Sequence, residues 1–508
     1  MVIASSAPLQ SGANSLAVET AVRLQGSTLA TERLTGTTDY CPHCLLGIRV
    51  IRAPSPMVCP FCQARMTRET FVVPPASPEP ANMFEARAGS ENYRQPAKPV
   101  AIFLIFAIIL LLALAVFLKL HNLTYYWYQP LVNLYSLTVG VFILSRFFLA
   151  AFYMAPSDVG YEPTVAVIVA CRNEEGSIEK TIGRIYGEGY PHSKLEVVAV
   201  NDGSTDNTLA DMMRAQARHP SLIVVDFEQN KGKRHGMAVG ARLARSEVLV
   251  YVDSDSFLLP GSIHKVVQGL VDPTVAAVAG HTDVENVEVN VLTKMQDVRY
   301  FVSYRVMKAA ESLFGAVSCC PGCFSAYRKS CVLHVLDKWL YQKFLGNYAT
   351  FGDDRALTNM LLKNYRILYD DEALATTIVP EDWRKYVNQQ CRWKRSWGRE
   401  MFLAGQFMWR KHPVAAISWY AMTILPTIAP LVMFNALIMA PLAMHRLPGF
   451  YIGGVLVVTL LWSLYYLEKT GRRHWWTGFI FVLTYVFFFS WQGYYAFATM
   501  RRTTWGTR

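Results

Sequence analysis

The feature that most constrains this chain is a set of long apolar segments divided by one long polar stretch. Residues 101–120 read AIFLIFAIILLLALAVFLKL, and about twenty apolar residues are what a helix needs to cross the core of a bilayer. A second apolar segment covers residues 131–154, and three more cover residues 414–443, 449–467 and 475–499. The chain is therefore predicted to be a multi-pass membrane protein with a polar unit between its second and third apolar segments.

Composition supports this prediction and excludes other classes. Of the 508 residues, 52% are hydrophobic and only 17% are charged, whereas about 25% of an average soluble domain is charged. A chain this apolar is not intrinsically disordered, and its length excludes a small disulfide-stabilised scaffold. The formal net charge of +11 comes largely from basic residues that flank the apolar segments, so we expect no nucleic-acid partner.

The stretch 383–412 sets the predicted orientation. It holds eight Lys or Arg residues, one acid and four Trp residues, and basic charge with tryptophan is typical of a cytoplasmic segment at the membrane interface. We predict interfacial helices here and a cytoplasmic location for the polar unit. Because two predicted membrane crossings separate the N-terminus from the polar unit, the N-terminus would also be cytoplasmic.

The sequence leaves the number of crossings after residue 412 open. Three crossings would place Arg501, Arg502 and Arg508 outside, against the tendency of basic loops to stay in the cytoplasm. We therefore predict an even number of late crossings and a cytoplasmic C-terminus, in a plasma or inner membrane. Pro426 and Pro430 allow two explanations: the third segment is broken, or one late segment is re-entrant.

The N-terminal region contains a predicted metal site. Residues 1–38 are predicted to be a flexible arm and residues 72–99 a proline-rich linker. Between them, at 39–71, two C-x2-C pairs have the spacing of a zinc ribbon, which would hold a structural Zn²⁺. The ligands would be Cys41, Cys44, Cys59 and Cys62. Two disulfides are the alternative, and a reducing cytoplasm disfavours them.

The polar unit alternates between strand patterns and helix patterns. Strands are predicted from runs of β-branched residues and helices from amphipathic periodicity. The predicted elements are strand 164–170, helix 177–186, strand 195–200, helix 207–218, strand 222–225 and strand 248–252. This alternation indicates a doubly wound α/β domain, in which ligands bind at the carboxyl ends of the strands.

Acidic residues follow two of these strands. Asp202 comes directly after the second strand, and Asp253 and Asp255 follow the fourth with one residue between them. Two carboxylates spaced in this way point into one crevice, and hard carboxylate oxygens suit Mg²⁺ or Mn²⁺ bound together with substrate phosphates. The alternative is that the acids only cap the end of the strand.

Three further motifs follow in order along the chain. They are CCPGCFSAYR at 319–328, FGDDR at 351–355 and QQCRW at 389–393. Together with the spaced aspartates, they resemble the processive family 2 glycosyltransferases of GT-A fold, the family of cellulose, chitin and hyaluronan synthases. FLGNYATFGDDRALTN, QQCRWKRSWGRE and the terminal WGTR are most similar to membrane hyaluronan synthases, and the similarity covers roughly residues 100–508.

The resemblance implies an organisation and a reaction. Residues 100–154 would form two transmembrane helices, 155–382 a cytosolic α/β GT-A domain, 383–412 amphipathic interfacial helices, 413–499 transmembrane or re-entrant segments, and 500–508 a gating tail. The reaction would be the inverting transfer of a sugar from a UDP-sugar to a growing polysaccharide. The membrane segments would export this polysaccharide through a channel.

The resemblance also implies roles for individual residues. Asp202 would bind the uracil, Asp253 the ribose region, and Asp255 the Mg²⁺ or Mn²⁺ at the diphosphate. Asp354 would be the general base, with Asp353 as its rival. The other predicted contacts to the UDP-sugar or the acceptor are Lys233, Arg234, Gln389, Arg392, Trp393, Trp505 and Arg508.

Some features of the site leave alternatives open. If Lys233 and Arg234 do not contact the nucleotide, they belong to a solvated basic loop. If Trp393 does not contact the acceptor, it belongs to the hydrophobic core. One loop departs from the family pattern: this chain has Gly322-Cys323 where the family has Gly-Pro. The rigidity of that loop and its acceptor preference are therefore not implied by the family.

The sequence favours a hyaluronan synthase-like enzyme that uses UDP-GlcNAc and UDP-GlcA in turn. A chitin or chitin-oligosaccharide synthase that uses UDP-GlcNAc alone is the alternative, as is another β-linked exopolysaccharide synthase. Arg328 and Arg355 are candidates to pair with a glucuronate carboxylate. From another class, the chain would be an inactive scaffold that binds a protein partner, or a second copy, through its zinc ribbon.

Overall fold

The structure of the protein is a computed structural model that describes residues 98–125, 130–445 and 447–502, together with five short strands before residue 73. Several predicted site residues lie outside the described residues, so their roles stay predictions. They are Cys41, Cys44, Cys59, Cys62, Trp505 and Arg508.

The described strands form two groups along the chain. Those before the first apolar helix are β1 (Arg23–Leu24), β2 (Ser27–Thr28), β3 (Thr35–Tyr40), β4 (Ile48–Ile51) and β5 (Thr67–Val72). Those of the polar unit are β6 (Val165–Cys171), β7 (Leu195–Asn201), β8 (Ile223–Phe227), β9 (Val248–Val252), β10 (Ser256–Leu258), β11 (Val275–Val284), β12 (Phe324–Arg328), β13 (Lys343–Phe344), β14 (Asn347–Tyr348) and β15 (Arg366–Thr377).

The helices fall into three groups. Before the polar unit lie α1 (Lys98–Tyr125) and α2 (Pro130–Ala150). The polar unit and the basic stretch contain α3 (Ile178–Tyr186), α4 (Thr208–Arg218), α5 (Lys233–Leu243), α6 (Ser262–Gln268), α7 (Val291–Phe301), α8 (Ala309–Ser312), α9 (Lys329–Leu340), α10 (Asp353–Leu362) and α11 (Trp383–Ala404). After it lie α12 (Pro413–Phe434), α13 (Ala440–Met444), α14 (Gly449–Thr470), α15 (Thr477–Thr484) and α16 (Ser490–Ala498).

The strands and helices predicted for the polar unit are found in the predicted order, with no end displaced by more than two residues. In the described part of the chain, eleven strands form one mixed sheet in the order β10-β15-β11-β12-β9-β6-β7-β8-β4-β3-β5. Its central strands β9, β6, β7 and β8 are parallel. All seven residues of β6 are buried, as expected of a strand that helices cover on both faces.

Helix α5 packs unusually close to the sheet. A Cβ atom on Gly240 would lie 2.5 Å from Ile168 Cγ2, and one on Gly236 would lie 2.8 Å from Ala170 Cβ. Only glycine allows this approach between helix and strand. As a result, the basic loop that precedes α5 lies at the carboxyl edge of the sheet.

The N-terminal strands extend the catalytic sheet. β4 pairs antiparallel with β8, with Ile48 opposite Phe227 and Val50 opposite Val225. β3 and β5 continue the sheet outward. This pairing covers what would be an exposed sheet edge. The sequence does not predict it, because the long apolar segment at 101–120 separates these strands from the catalytic unit along the chain.

Five helices of the described chain are long and apolar enough to cross a membrane. They are Ile102–His121, Leu131–Ala150, Pro413–Met444, Gly449–Thr470 and Thr477–Ala498.

The third of these helices is continuous, so the alternative in which Pro426 and Pro430 break it is wrong. The hydroxyl groups of Tyr135 and Tyr494 donate to the carbonyls of Leu425 (3.1 Å) and Thr427 (2.8 Å), which flank Pro426. The two tyrosines belong to α2 and α16, so both of these helices contact the proline-containing part of the third apolar helix.

Candidate active site

One large cavity of about 1320 Å³ opens at the carboxyl ends of β6, β7 and β9. Its walls also include the start of α10 and side chains of α7 and α11. Nine predicted site residues line this cavity: Asp202, Lys233, Arg234, Asp253, Asp255, Asp354, Gln389, Arg392 and Trp393.

At one end of the cavity, Asp202 ties two loops together. Its carboxylate, only 4% exposed, accepts hydrogen bonds from the backbone N–H groups of Lys231 (2.7 Å) and Gly232 (3.0 Å). A Cβ atom on Gly203 would lie 2.5 Å from the backbone nitrogen of Asn230, so the close approach of the loops requires glycine. Burial raises the pKa of Asp202 to about 6, although the N–H donors oppose the shift.

Asp253 and Asp255 follow β9 and face the cavity beside Lys233. The Lys233 ammonium group donates to Asp253 Oδ1. Burial and then the charge of Asp253 raise the pKa of Asp255 to about 7. Both effects disfavour the ionised form of Asp255, and a bound divalent cation would stabilise that form. Across the described ranges no three Asp, Glu, His or Cys side chains converge to hold an ion, so a substrate would have to supply further ligands.

The loop before β12 lies against this acidic pair. A Cβ atom on Gly322 would lie 3.1 Å from Asp253 Oδ1, which means that a larger residue would push the carboxylate aside. Cys323, the residue that departs from the family pattern, also lines the cavity. Burial raises the pKa of its thiol, and the charges of the two aspartates raise it further.

The adjacent residues Asp353 and Asp354 begin α10 but have different surroundings. Asp353 is 6% exposed, and its Oδ1 accepts a hydrogen bond from Arg234 Nε at 2.6 Å. Arg234 also donates to the carbonyl of Trp339 (2.8 Å) and to Gln342 Oε1 (3.0 Å). Asp353 is therefore one half of a buried ion pair. A nucleotide contact by Arg234 stays a prediction, but Asp353 already balances its charge.

Asp354 faces the cavity with weaker partners. Its Oδ1 accepts from the backbone N–H of Arg355 at 2.8 Å, and its Oδ2 lies 3.6 Å from Cys319 Sγ. The turn that begins α10 requires glycine, because Gly352 has φ of +71° and a Cβ there would collide with Ser396 of α11. An aspartate that faces a cavity with one strong partner has the position that a general base requires.

Helix α11 presents Gln389, Arg392 and Trp393 to the same cavity. Burial lowers the pKa of Arg392, and the surrounding aspartates oppose this shift; an arginine nevertheless stays protonated. Trp393 is 37% exposed, and the guanidinium carbon of Arg299 lies 5.4 Å from its ring centroid. The guanidinium group of Arg299 therefore lies over the indole ring, and more than a third of Trp393 stays exposed.

A family model described as "Glycosyltransferase like family 2" matches residues 163–396, the segment that holds the nine predicted site residues of the cavity. Residues 163–396 are a family 2 glycosyltransferase domain.

Relatives of the glycosyltransferase extend beyond this domain. A hyaluronan synthase of Streptococcus pyogenes is 27% identical over 425 residues, which are 80% of this chain and 96% of that protein. An N-acetylglucosaminyltransferase of Bradyrhizobium diazoefficiens is 35% identical over 254 residues, which are 49% of this chain and 51% of that protein.

A solved structure supports the predicted GT-A-like fold of the glycosyltransferase. It is a mannosyltransferase of Pyrobaculum calidifontis, in complex with GDP-Man and Mn²⁺. The TM-score is 0.51 at 22% sequence identity, with 73% of this chain and 99% of that chain covered.

One wall of the glycosyltransferase cavity was missed by the sequence analysis. α7 and the π-helical turn after it, Val302–Lys308, contribute polar and aromatic side chains: Arg299, Tyr300, Ser303, Tyr304 and Lys308. Tyr300, Tyr304 and Lys308 recur every four residues, and this spacing could have indicated a functional helix face. π-helical turns often lie at functional sites, but nothing in the sequence predicts this one.

The structure separates the two arginines proposed for a glucuronate carboxylate. Arg355 lines the cavity next to Asp354. Arg328 does not line the cavity, so the prediction that it pairs with a glucuronate carboxylate is wrong. Its guanidinium group donates to the carbonyls of Val275 (3.3 Å) and Asp272 (3.1 Å), because at the end of β12 its side chain points away from the carboxyl edge.

Proposed function

We propose that the protein is a membrane-embedded, processive glycosyltransferase that polymerises UDP-sugars with inversion and exports the polymer through its own membrane segments. The observation that carries this proposal is the convergence of nine predicted side chains on one cavity. The hyaluronan synthase of Streptococcus pyogenes supports it, because the similarity covers 96% of that protein and 80% of this chain, and so extends beyond residues 163–396.

The donor would lie along the carboxyl ends of β7 and β9. Asp202, which accepts two backbone N–H groups at the edge of the cavity, would accept the N–H of the uracil. Asp253 would face the ribose. Lys233 and Arg392 place positive charge where the diphosphate would lie, and a planar guanidinium group can bind two of its oxygens at once.

The residues present fit a divalent ion, Mg²⁺ or Mn²⁺. Asp255 would hold it, with Asp253 beside it, and the donor diphosphate would complete its ligands, since such ions commonly bind through one or two carboxylates and substrate phosphates. When bound, the ion would neutralise negative charge on the leaving diphosphate. The Mn²⁺ in the mannosyltransferase neighbour supports the same choice.

Asp354 would act as the general base. The acceptor hydroxyl attacks the anomeric carbon from the face opposite UDP, and its proton passes to the carboxylate of Asp354. The bond between the anomeric carbon and the diphosphate oxygen breaks, and UDP leaves against Arg392. The face of Trp393 holds the acceptor ring in line for attack.

Cationic groups on the cavity wall favour hyaluronan as the product. Arg299, Lys308 and Arg355 all line the cavity, and an arginine binds a carboxylate with two parallel hydrogen bonds. A polymer with glucuronate at every second sugar would use such groups, whereas neutral chitin would not. A chitin-type synthase that uses UDP-GlcNAc alone is the alternative, which the N-acetylglucosaminyltransferase relative supports.

The experiment supplies purified protein in detergent with Mg²⁺ or Mn²⁺ and with UDP-GlcNAc and UDP-GlcA, singly and together. We expect polymer only with both sugars, and we expect hyaluronidase to degrade it. Arg355→Gln should raise the KM for UDP-GlcA more than that for UDP-GlcNAc, and Arg328→Gln, outside the cavity, should change neither. Polymer from UDP-GlcNAc alone would favour the alternative, and a folded protein that releases no UDP from either sugar would contradict the proposal.

The contacts of the fifth apolar helix bear on topology, and we propose that Thr477–Ala498 lies against the catalytic unit instead of crossing the membrane. At its start, Thr477 Oγ1 donates to the carbonyl of Lys294 on α7 (3.2 Å). Just after its end, Arg395 Nε of α11 donates to Thr499 Oγ1 (3.0 Å). Because both ends of this helix contact the catalytic unit, both ends would lie on the same side of the membrane. This supports an even number of late crossings and a cytoplasmic C-terminus.

The N-terminal zinc site is a separate proposal. Four cysteines at ribbon spacing would hold about one structural Zn²⁺ per chain, and metal analysis of the purified protein tests this directly. Loss of the zinc on Cys41→Ser is the expected result, and a protein without zinc would contradict the ribbon. A protein partner or a second copy would bind through this unit.

A further inference from the structure

A buried ionic cluster links the catalytic unit to the last two apolar helices. Asp297 of α7 is 2% exposed, and Arg472 Nη1 donates to both of its oxygens, at 2.9 Å and 2.7 Å. His474 Nε2 lies 2.8 Å from Oδ2, and the hydroxyl of Tyr466 donates to the same oxygen. Tyr466 lies near the end of α14, and Arg472 and His474 lie in the connection from α14 to α15.

The same helix reaches the cavity on its other side. Asp297 and Arg299 are two residues apart, so their side chains point to roughly opposite faces of α7. The guanidinium carbon of Arg299 lies over Trp393, the proposed acceptor platform, 5.4 Å from the ring centroid. Its guanidinium carbon also lies 5.7 Å from the ring centroid of Phe481 on α15. α7 is therefore fixed between the acceptor platform and the connection of two apolar helices.

Stability alone is a weak reason for this cluster. A buried ion pair gains little over apolar residues of the same volume, because desolvation offsets most of the attraction. The best-attested use of such a pair is to fix the register of the elements that carry it. Asp297 lines no part of the cavity, so the transfer step does not use it.

We propose that Asp297 is a positioning residue that keeps α7, and through Arg299 the acceptor platform, in register with the last apolar helices. This inference rests on the proposed function, because only a processive enzyme must pass its product from the cavity to the membrane segments after every transfer. Asp297 thereby favours extension of a held polymer over its release. Neither donor binding nor proton transfer depends on it.

The experiment measures product length, UDP release and donor KM for Asp297→Asn and Arg472→Gln. We expect polymer about tenfold shorter in each, which corresponds to about 1.4 kcal/mol in the balance between extension and release. Donor KM should stay within about twofold, and the double variant should shorten the product no further than either single variant, because both act through one contact. Arg472→Lys, which keeps the charge but not the two-oxygen contact, should fall in between.

The control is Arg305→Gln. Arg305 lies in the π-helical turn after α7, but its ion pair is with Asp371 of the catalytic sheet, so product length should not change. Product of wild-type length from Asp297→Asn, or shortening only in proportion to a loss of thermal stability and of UDP release, would overturn the inference while the proposed function stands. If Asp297→Asn does not fold, the product length of Arg472→Lys tests the inference by the same criteria. If the wild-type protein makes no polymer, the proposed function fails and this inference fails with it.

Discussion

At the scale of single residues, Asp202 links structure to pH. Its pKa is raised to about 6 because its carboxylate is buried where β7 ends. As the pH falls through this value, the carboxylate gains a proton and loses a lone pair that the uracil N–H would use. Donor affinity should therefore be full above the raised pKa and decline below it.

We predict that KM for the UDP-sugar rises about fivefold or more between pH 7 and pH 5, because one pH unit below a pKa leaves about a tenth of the group ionised. The measurement is KM from initial rates of UDP release over this range. Asp202→Asn should have a high KM at every pH and a weaker pH dependence than the wild type, and the dependence that remains should come from Asp255, whose pKa is raised to about 7. A wild-type KM that does not change with pH would contradict the role given to Asp202.

The residues of the site were largely predictable, and their partners were not. Each of Asp202, Asp253, Asp255 and Arg392 belongs to a short motif whose spacing is visible in the chain. The ion pair of Arg234 with Asp353 joins residues 119 positions apart, and no local pattern indicates it. In the sequence, Arg234 is visible only as a basic residue next to Lys233 in a basic loop.

At the scale of elements, the packing of α5 on β6 depends on a glycine. A Cβ atom on Gly240 would lie 2.5 Å from Ile168 Cγ2 in the fully buried strand. Gly240→Ala should therefore lower the free energy of unfolding by about 1–3 kcal/mol, the usual cost of overpacking a core. Because α5 follows the loop that Asp202 holds, donor KM should rise as well.

The matched control for Gly240→Ala is Gly183→Ala in α3. No atom lies within 4 Å of a Cβ built on Gly183, so alanine should stabilise the helix by up to about 1 kcal/mol. Thermal unfolding of both variants in detergent tests the pair. A loss of stability in Gly183→Ala, or none in Gly240→Ala, would contradict the packing described.

The parallel strands were predictable because buried parallel strands are continuous apolar runs rich in β-branched residues, as in β6 and β9. The π-helical turn Val302–Lys308 was not, because it differs from an α-helix by one extra residue per turn and depends on tertiary contacts. The pairing of β4 with β8 was also not predictable, since edge pairing uses backbone groups that any sequence supplies.

At the scale of the whole molecule, the contacts of the fifth apolar helix predict where the chain ends. A fluorescent or enzymatic reporter fused after Arg508 should be on the cytoplasmic side, with the catalytic unit. A reporter inserted at Leu447, between the third and fourth apolar helices, should be on the opposite side. Reporters on opposite sides confirm an even number of late crossings; a C-terminal reporter outside would mean that Thr477–Ala498 crosses.

The central claim is that one cavity transfers sugars with Asp354 as the base, while its neighbour Asp353 is structural. The deciding measurement compares Asp354→Asn with Asp353→Asn by UDP release, UDP binding and thermal unfolding.

For Asp354→Asn we predict normal folding and UDP binding, with kcat lowered about 10²–10⁴-fold, the usual contribution of a general base. For Asp353→Asn we predict a loss of about 3–5 kcal/mol of stability, because the buried guanidinium of Arg234 loses its partner. An Asp354→Asn protein that retains activity, or a stable Asp353→Asn protein that has none, would contradict the account.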